Sequence, residues 1–167
     1  MTRRTGLDRA IVALCGAFIA ILAVSAYYER DVLLLHIFQS LIYVAILWLS
    51  LRHSKWGYGV GISIAALWNT FNLFSGFFSG GTRVWSAFLS TGQISDPVQW
   101  VAPLAGIDHL ALIVCCVLAY ARLPSKSVRD LGILLGSFVS VTVYFLTIIA
   151  LTWSQFLPRI KEILFGG

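Results

Sequence analysis

The chain has 167 residues, of which 59% are hydrophobic and only 11% charged, with a formal net charge of +5. That length suits one domain, taken as 1–167. Soluble domains carry about 25% charged and 45–50% apolar residues, so a water-soluble globular fold is excluded and lipid becomes the expected solvent.

In a bilayer every backbone polar group must be satisfied internally, which leaves helices or a closed barrel. Barrel strands are short and alternate polar with apolar residues. The apolar runs here are long and continuous, so the expected fold class is an all-α membrane protein, a bundle of about five transmembrane helices joined by short loops. A hydrocarbon core about 30 Å thick needs roughly 20 apolar residues per helix. The spans are expected at about 10–28, 32–51, 58–78, 100–121 and 131–153.

The first span follows Arg3, Arg4 and Arg9 and ends in Val24-Ser25-Ala26. A signal peptide is the competing reading of that segment, but the apolar run is long for one. Residues 29–31 form a tight turn, and residues 52–57 another. In the longest link, 79–99, Val84, Trp85, Phe88 and Leu89 have helical spacing, so this segment is expected on the membrane surface. Asp96-Pro97 reads as a helix start. Pro103 is expected inside the fourth span, freeing the carbonyl of Gln99 and kinking the helix. The tail, 155–165, reads as a C-terminal interfacial helix. Small residues that permit close helix approach recur at Gly57, Gly61 and Ala65, at Gly132, Gly136 and Ser140, and at Gly16 and Ala20.

Lys and Arg fall between the apolar runs, where they set orientation. A cytoplasmic N-terminus puts eight of them inside (Arg3, Arg4, Arg9, Arg52, Lys55, Arg122, Lys126, Arg129). Four lie outside: Arg30, Arg83, Arg159 and Lys161. The expected location is a bacterial inner or cell membrane, and nucleic acid is not an expected partner. Cys15, Cys115 and Cys116 lie in apolar runs without zinc or disulfide spacing, as packing residues do.

Ionisable groups inside a span are costly and are candidates for function. His36, Asp108 and His109 are the three expected there. His36 shares a helix face with Gln39, Ser40, Tyr43 and Ser50. Asn69 and Asn72 mark the third span, and Ser137, Ser140, Tyr144 and Thr147 the fifth. At 1.5 Å rise per residue, His36 lies roughly 6 Å from the outer end of its span. Gln39, Asn72 and Thr147 lie at about 9–10 Å, and Asn69, Asp108, His109 and Tyr144 at about 12–15 Å. A ligand-binding site is therefore expected from His36, Gln39, Tyr43, Asn69, Asn72, Asp108, His109, Tyr144 and Thr147, in a pocket opening outward. Polar side chains also glue helices together, and that bland role competes at each position.

Pro103-Leu104-Ala105-Gly106-Ile107-Asp108-His109-Leu110 resembles the short HPxxGxDH motif of nickel-transporting membrane proteins of the hydrogenase and urease accessory type. The resemblance implies a metal ion as cargo. It covers only these residues, Ala102 stands where that family has its leading histidine, and the segment falls in the fourth span rather than early in the chain. A b-type haem held by His36 and His109 fits poorly, because the two histidines differ in depth by roughly 7–8 Å; no cofactor is expected. HExxH, Walker and CxxC motifs are absent, and no enzyme is expected. The leading functional expectation is binding or transport of a small solute or ion. The alternative is a non-catalytic accessory or scaffold subunit of a larger membrane complex, with other membrane subunits as partners.

Overall fold

The computed structural model describes residues 6–93, 100–123, 127–154 and 158. These form six helices: α1 (Gly6–Tyr28), α2 (Leu33–Leu51), α3 (Lys55–Ser75), α4 (Phe77–Thr91), α5 (Val101–Ala121) and α6 (Val128–Thr152). A single 3-10 turn, Arg30–Val32, makes the tight link between α1 and α2. The tail 155–165 apart from Pro158, Asp96-Pro97 and the carbonyl of Gln99 lie outside the described residues.

α1, α2, α5 and α6 are each long and apolar enough to cross a bilayer. α3 meets that standard only when taken together with α4, from which it is bent by 77°. The reason lies in where α3 sits. It packs against α2, α5 and α6, while α1 packs against α2 and α5 from the other side. A helix surrounded by protein has no need of an apolar surface on every face. Nine α3 residues are buried, from Gly57 to Phe71, against six on α2. α1 shows the opposite pattern. Ile11, Cys15, Phe18, Leu22 and Ser25 form one inward stripe at helical spacing, and the rest of the helix is available to lipid.

Glycine lets α3 approach its neighbours. A Cβ added at Gly57 would lie 2.9 Å from the Leu49 Cβ, and one at Gly61 would lie 2.8 Å from the Cys116 sulfur. At Gly59 it would come within 2.6 Å of the Ser137 hydroxyl. The other two small-residue patterns pack differently from expectation. Gly16 and Gly132 have nothing within 4 Å of an added Cβ, and Ala20 and Ser140 are exposed. Gly136 alone among them is close-packed, against the Trp56 ring. Such patterns arise readily by chance in apolar helices, and only a neighbour makes one an interface.

Helix boundaries also differ from the apolar runs. α1, α3 and α6 begin earlier than hydropathy suggests, because polar residues complete their first turns. In α6, Ser127 and Asp130 form a reciprocal capping box. Pro103 is the third residue of α5, not an interior one. In the first turn a backbone N–H has no intrahelical acceptor to lose, so this proline costs the helix nothing there. The glycine at the α3–α4 junction, Gly76, is left-handed (φ 84°), which ends α3 and turns the chain into α4.

The helical spacing read at Val84, Trp85, Phe88 and Leu89 falls within α4, which leans on the start of α5. Gly81 lies against Pro103, and Gly106 lies against Phe78. Trp85 and Phe88 meet Trp100, with ring centroids 4.9 and 5.0 Å apart.

At the opposite end of the bundle a polar lacing joins four segments. Asp8 of α1 is almost fully buried and accepts a hydrogen bond from the Tyr58 hydroxyl at 2.8 Å. Its second oxygen faces His53 Nδ1 at 3.1 Å. His53 adopts a left-handed conformation (φ 53°) in the α2–α3 link, uncommon for a residue other than glycine, which sets its ring beside Asp8. Lys55 donates to Asp130 at 2.7 Å and ties α3 to α6.

Replacing Gly61 by Leu should destabilise the bundle by about 1–3 kcal/mol through overpacking. Gly16→Ala should leave stability unchanged or slightly raised; unfolding in detergent, followed by circular dichroism, compares the two. Tyr58→Phe removes a donor to a buried carboxylate and should cost about 1–2 kcal/mol in the same assay.

Candidate functional site

α2 carries a run of polar residues along the face it turns toward the other helices. Gln39, Tyr43 and Ser50 are buried, and His36 and Ser40 are half-buried. α3 contributes Trp68 and Asn72, one turn apart, and α5 contributes Ala105 and His109 at the same interval. Between these three helices and α1, toward the end where α1 meets α2, lies a cavity of about 540 Å³.

His36, Gln39, Asn72 and His109 all line this cavity, together with Phe18 and Trp68. Ser25, Glu29 and Arg83 line it nearer the end of the bundle, and Gly81 and Val84 of α4 form part of its side. Trp153, just beyond α6, is also part of the lining. The contact of α4 with Pro103 therefore closes a flank that would otherwise face outward.

The aromatic wall has a definite order. Trp68 stands edge-on to Phe145 of α6, with centroids 4.8 Å apart, and to Phe71 at 5.7 Å. Phe71 in turn contacts Trp153. On the other side Phe18 stacks on His109 at 4.3 Å and packs against Tyr43 at the same distance. Such ring pairs hold one another at fixed tilt, worth about 0.5–1.5 kcal/mol each beyond the area they bury.

Tyr43 is fully buried, and its hydroxyl lies 2.6 Å from His109 Nε2. It does not itself line the cavity; it holds the histidine that does. Three buried polar atoms on cavity-lining side chains lack a hydrogen-bond partner among the described residues: His36 Nδ1, His109 Nδ1 and Trp68 Nε1. Burying a polar group unpaired costs roughly 1–3 kcal/mol, and seven further buried polar atoms outside the lining, Ser50 Oγ and Ser137 Oγ among them, also lack a partner among the described residues.

The remaining expected residues go elsewhere. Asp108 is buried beside His109 but leaves α5 at a different angle, within electrostatic reach of Cys15 and Tyr43, and one of its oxygens has no partner. Asn69 is half-buried with an unpartnered carbonyl oxygen and lies outside the lining. The Tyr144 hydroxyl donates to the Phe38 carbonyl and so joins α6 to α2. Thr147 is exposed and bonds back to the Val143 carbonyl of its own helix. The structure thus brings four of the nine expected residues to one cavity, sets Tyr43 behind it, and leaves Thr147 on the outer face.

Trp68 and Arg83 are cavity residues that polarity alone did not single out. Trp68 had a signal, since it sits four residues before Asn72 and shares its helix face. Asp8 and its partners His53 and Tyr58 had none, because their pairing joins residues 45 and 50 positions apart.

Among the described residues no group of three or more His, Cys, Asp or Glu side chains is placed to hold a metal ion. His109 already uses Nε2 on Tyr43, which also occupies the nitrogen an axial haem ligand would most readily offer. All three cysteines are free. The chain matches no protein-family model, and neither a curated protein nor a solved structure similar to it was found.

Proposed function

We propose that this is a multi-pass integral membrane protein that binds a small solute in the cavity between α1, α2, α3 and α5, as a binding or transport component and without a catalytic step. One observation carries the reading: His36, Gln39, Asn72 and His109, from three helices and widely separated in sequence, line the same space of about 540 Å³. Small-molecule sites typically occupy 300–1,000 Å³ and combine apolar walls with a few polar groups. The helix lengths and hydropathy support a bilayer location.

The balance of basic residues supports a cytoplasmic N-terminus. Arg9, Arg52, Lys55, Arg122 and Arg129 gather at the end away from the cavity, and Arg30 and Arg83 at the cavity end. On that orientation the cavity opens to the outside. Cysteines introduced at Gly92 and at Arg122 test it. The first should react with an impermeant maleimide added to intact cells and the second should not; the reverse labelling would overturn the orientation.

Filling the cavity tests the binding reading. Ala105 lines it and is nearly buried. Protein in lipid nanodiscs, screened by thermal shift against a panel of metabolites and metal ions, should be stabilised by at least one compound. Ala105→Trp should reduce that response about tenfold or more in apparent affinity. Equal responses from both proteins would defeat the proposal.

A second reading, a non-catalytic subunit of a larger membrane assembly, has support from α6. Gly132 and Ser140 lie on its outer face, where a partner helix could approach closely. Under this reading the protein co-purifies obligatorily with a second membrane protein, and substituting Gly132 by Leu releases it.

A further inference from the structure

We infer that the occupant of the cavity is an α-amino acid with an uncharged side chain, its ammonium group held by Glu29 and its carboxylate by Arg83. The inference rests on the reading of this cavity as a solute site and specifies its ligand class.

Two formally charged residues line the cavity, and they are opposite in sign. Phe18, Leu22, Ser25 and Glu29 follow one another at helical spacing along the α1 wall, so Glu29 stands one turn beyond Ser25, at the end of the bundle. Arg83 comes from the α4 flank, with Gly80 and Val84. Both charged side chains are exposed. They form no ion pair with each other or with any other group; the ion pairs among the described residues are His53–Asp8 and Lys55–Asp130. Arg83 Nε donates to the Ser79 carbonyl at 3.3 Å, and its two terminal nitrogens carry no hydrogen bond among the described residues. Arg30, the residue after Glu29, lies over the Tyr27 ring and does not line the cavity.

Unpaired charges of both signs on one cavity suit a molecule that carries both. A simple cation gains Glu29 but meets Arg83, and a simple anion gains Arg83 but meets Glu29. A zwitterion satisfies both and has no net charge. In an α-amino acid the two charges share one carbon, which leaves the side chain to enter the cavity. The guanidinium fork matches a carboxylate, and an ammonium has three donors for the Glu29 carboxylate and the Ser25 hydroxyl. Further in, the walls are Phe18, Leu22, Leu35 and Trp68, with the amides of Gln39 and Asn72, and no Lys, Arg, Asp or Glu lines that part. A charged side chain placed there loses its hydration without gaining a counter-charge, so the side chain is uncharged. The volume of about 540 Å³ leaves room for a large one.

L-Phenylalanine is the probe. Equilibrium dialysis against protein-loaded and empty nanodiscs separates site binding from partition into lipid. Phenylalanine should show a saturable component of one per chain. 2-Phenylethylamine lacks the carboxylate and 3-phenylpropionate lacks the ammonium, and each should bind about fivefold more weakly or worse. Glu29→Gln should weaken phenylalanine by about fivefold without weakening 3-phenylpropionate. Arg83→Gln should weaken phenylalanine by a similar factor without weakening 2-phenylethylamine. Both positions are exposed, so neither substitution disturbs the packing of the bundle.

Equal binding of phenylalanine and its two singly charged analogues would overturn the proposal without need of any variant. Phenylalanine binding that neither Glu29→Gln nor Arg83→Gln weakens would overturn it as well. If phenylalanine fails to saturate while another compound of the metabolite and metal-ion panel stabilises the protein, and Ala105→Trp reduces that response, the ligand class is wrong and the solute site stands. If phenylalanine fails to saturate and the panel treats wild type and Ala105→Trp alike, both readings fall.

Discussion

Hydrocarbon cannot hydrogen-bond, and most features of this bundle follow from that single constraint. Each polar side chain between the helix ends must bond to its own helix, bond to another helix, or stand at a cavity. All three solutions are present. Ser40, Ser63 and Thr147 return their hydroxyls to the carbonyl four residues earlier. Tyr144 reaches across from α6 to a carbonyl of α2. His36, Gln39, Asn72 and His109 take the third course.

α3 is the element through which these solutions are combined. Its glycines bring α2, α5 and α6 close to its backbone near one end. Toward the other end Trp68, Phe71 and Asn72 replace glycine, and the cavity lies there. The polar lacing of Asp8, His53 and Tyr58, with the Lys55–Asp130 pair, secures the glycine end. The cavity end relies on aromatic edges and on α4, which the left-handed Gly76 folds back against α5.

Two kinds of buried polar group are present. Asp8, Tyr58, His53, Lys55 and Asp130 at the glycine end are paired and act as fasteners whose loss is felt in stability, while Ser50 Oγ and Ser137 Oγ near them have no partner among the described residues. On cavity-lining side chains His36 Nδ1, His109 Nδ1 and Trp68 Nε1 are buried without a partner among the described residues, at a cost to the fold.

The amino-acid sequence by itself determined the solvent, the helical class and the approximate position of each helix, because hydropathy is a property of consecutive residues and lipid responds to it locally. It also marked His36, Gln39, Asn72 and His109, since polarity inside an apolar run is visible without a structure. Tertiary structure alone decided how each helix is rotated about its axis. Ser137 turned inward against Gly59 while Ser140 and Thr147 turned out, and Gly61 became a contact while Gly16 did not. It likewise joined Tyr43 to His109 across 66 positions and Asp8 to Tyr58 across 50. Rotation depends on which neighbour a face meets, and in a bilayer, where lipid satisfies any apolar face equally well, no single helix carries that information.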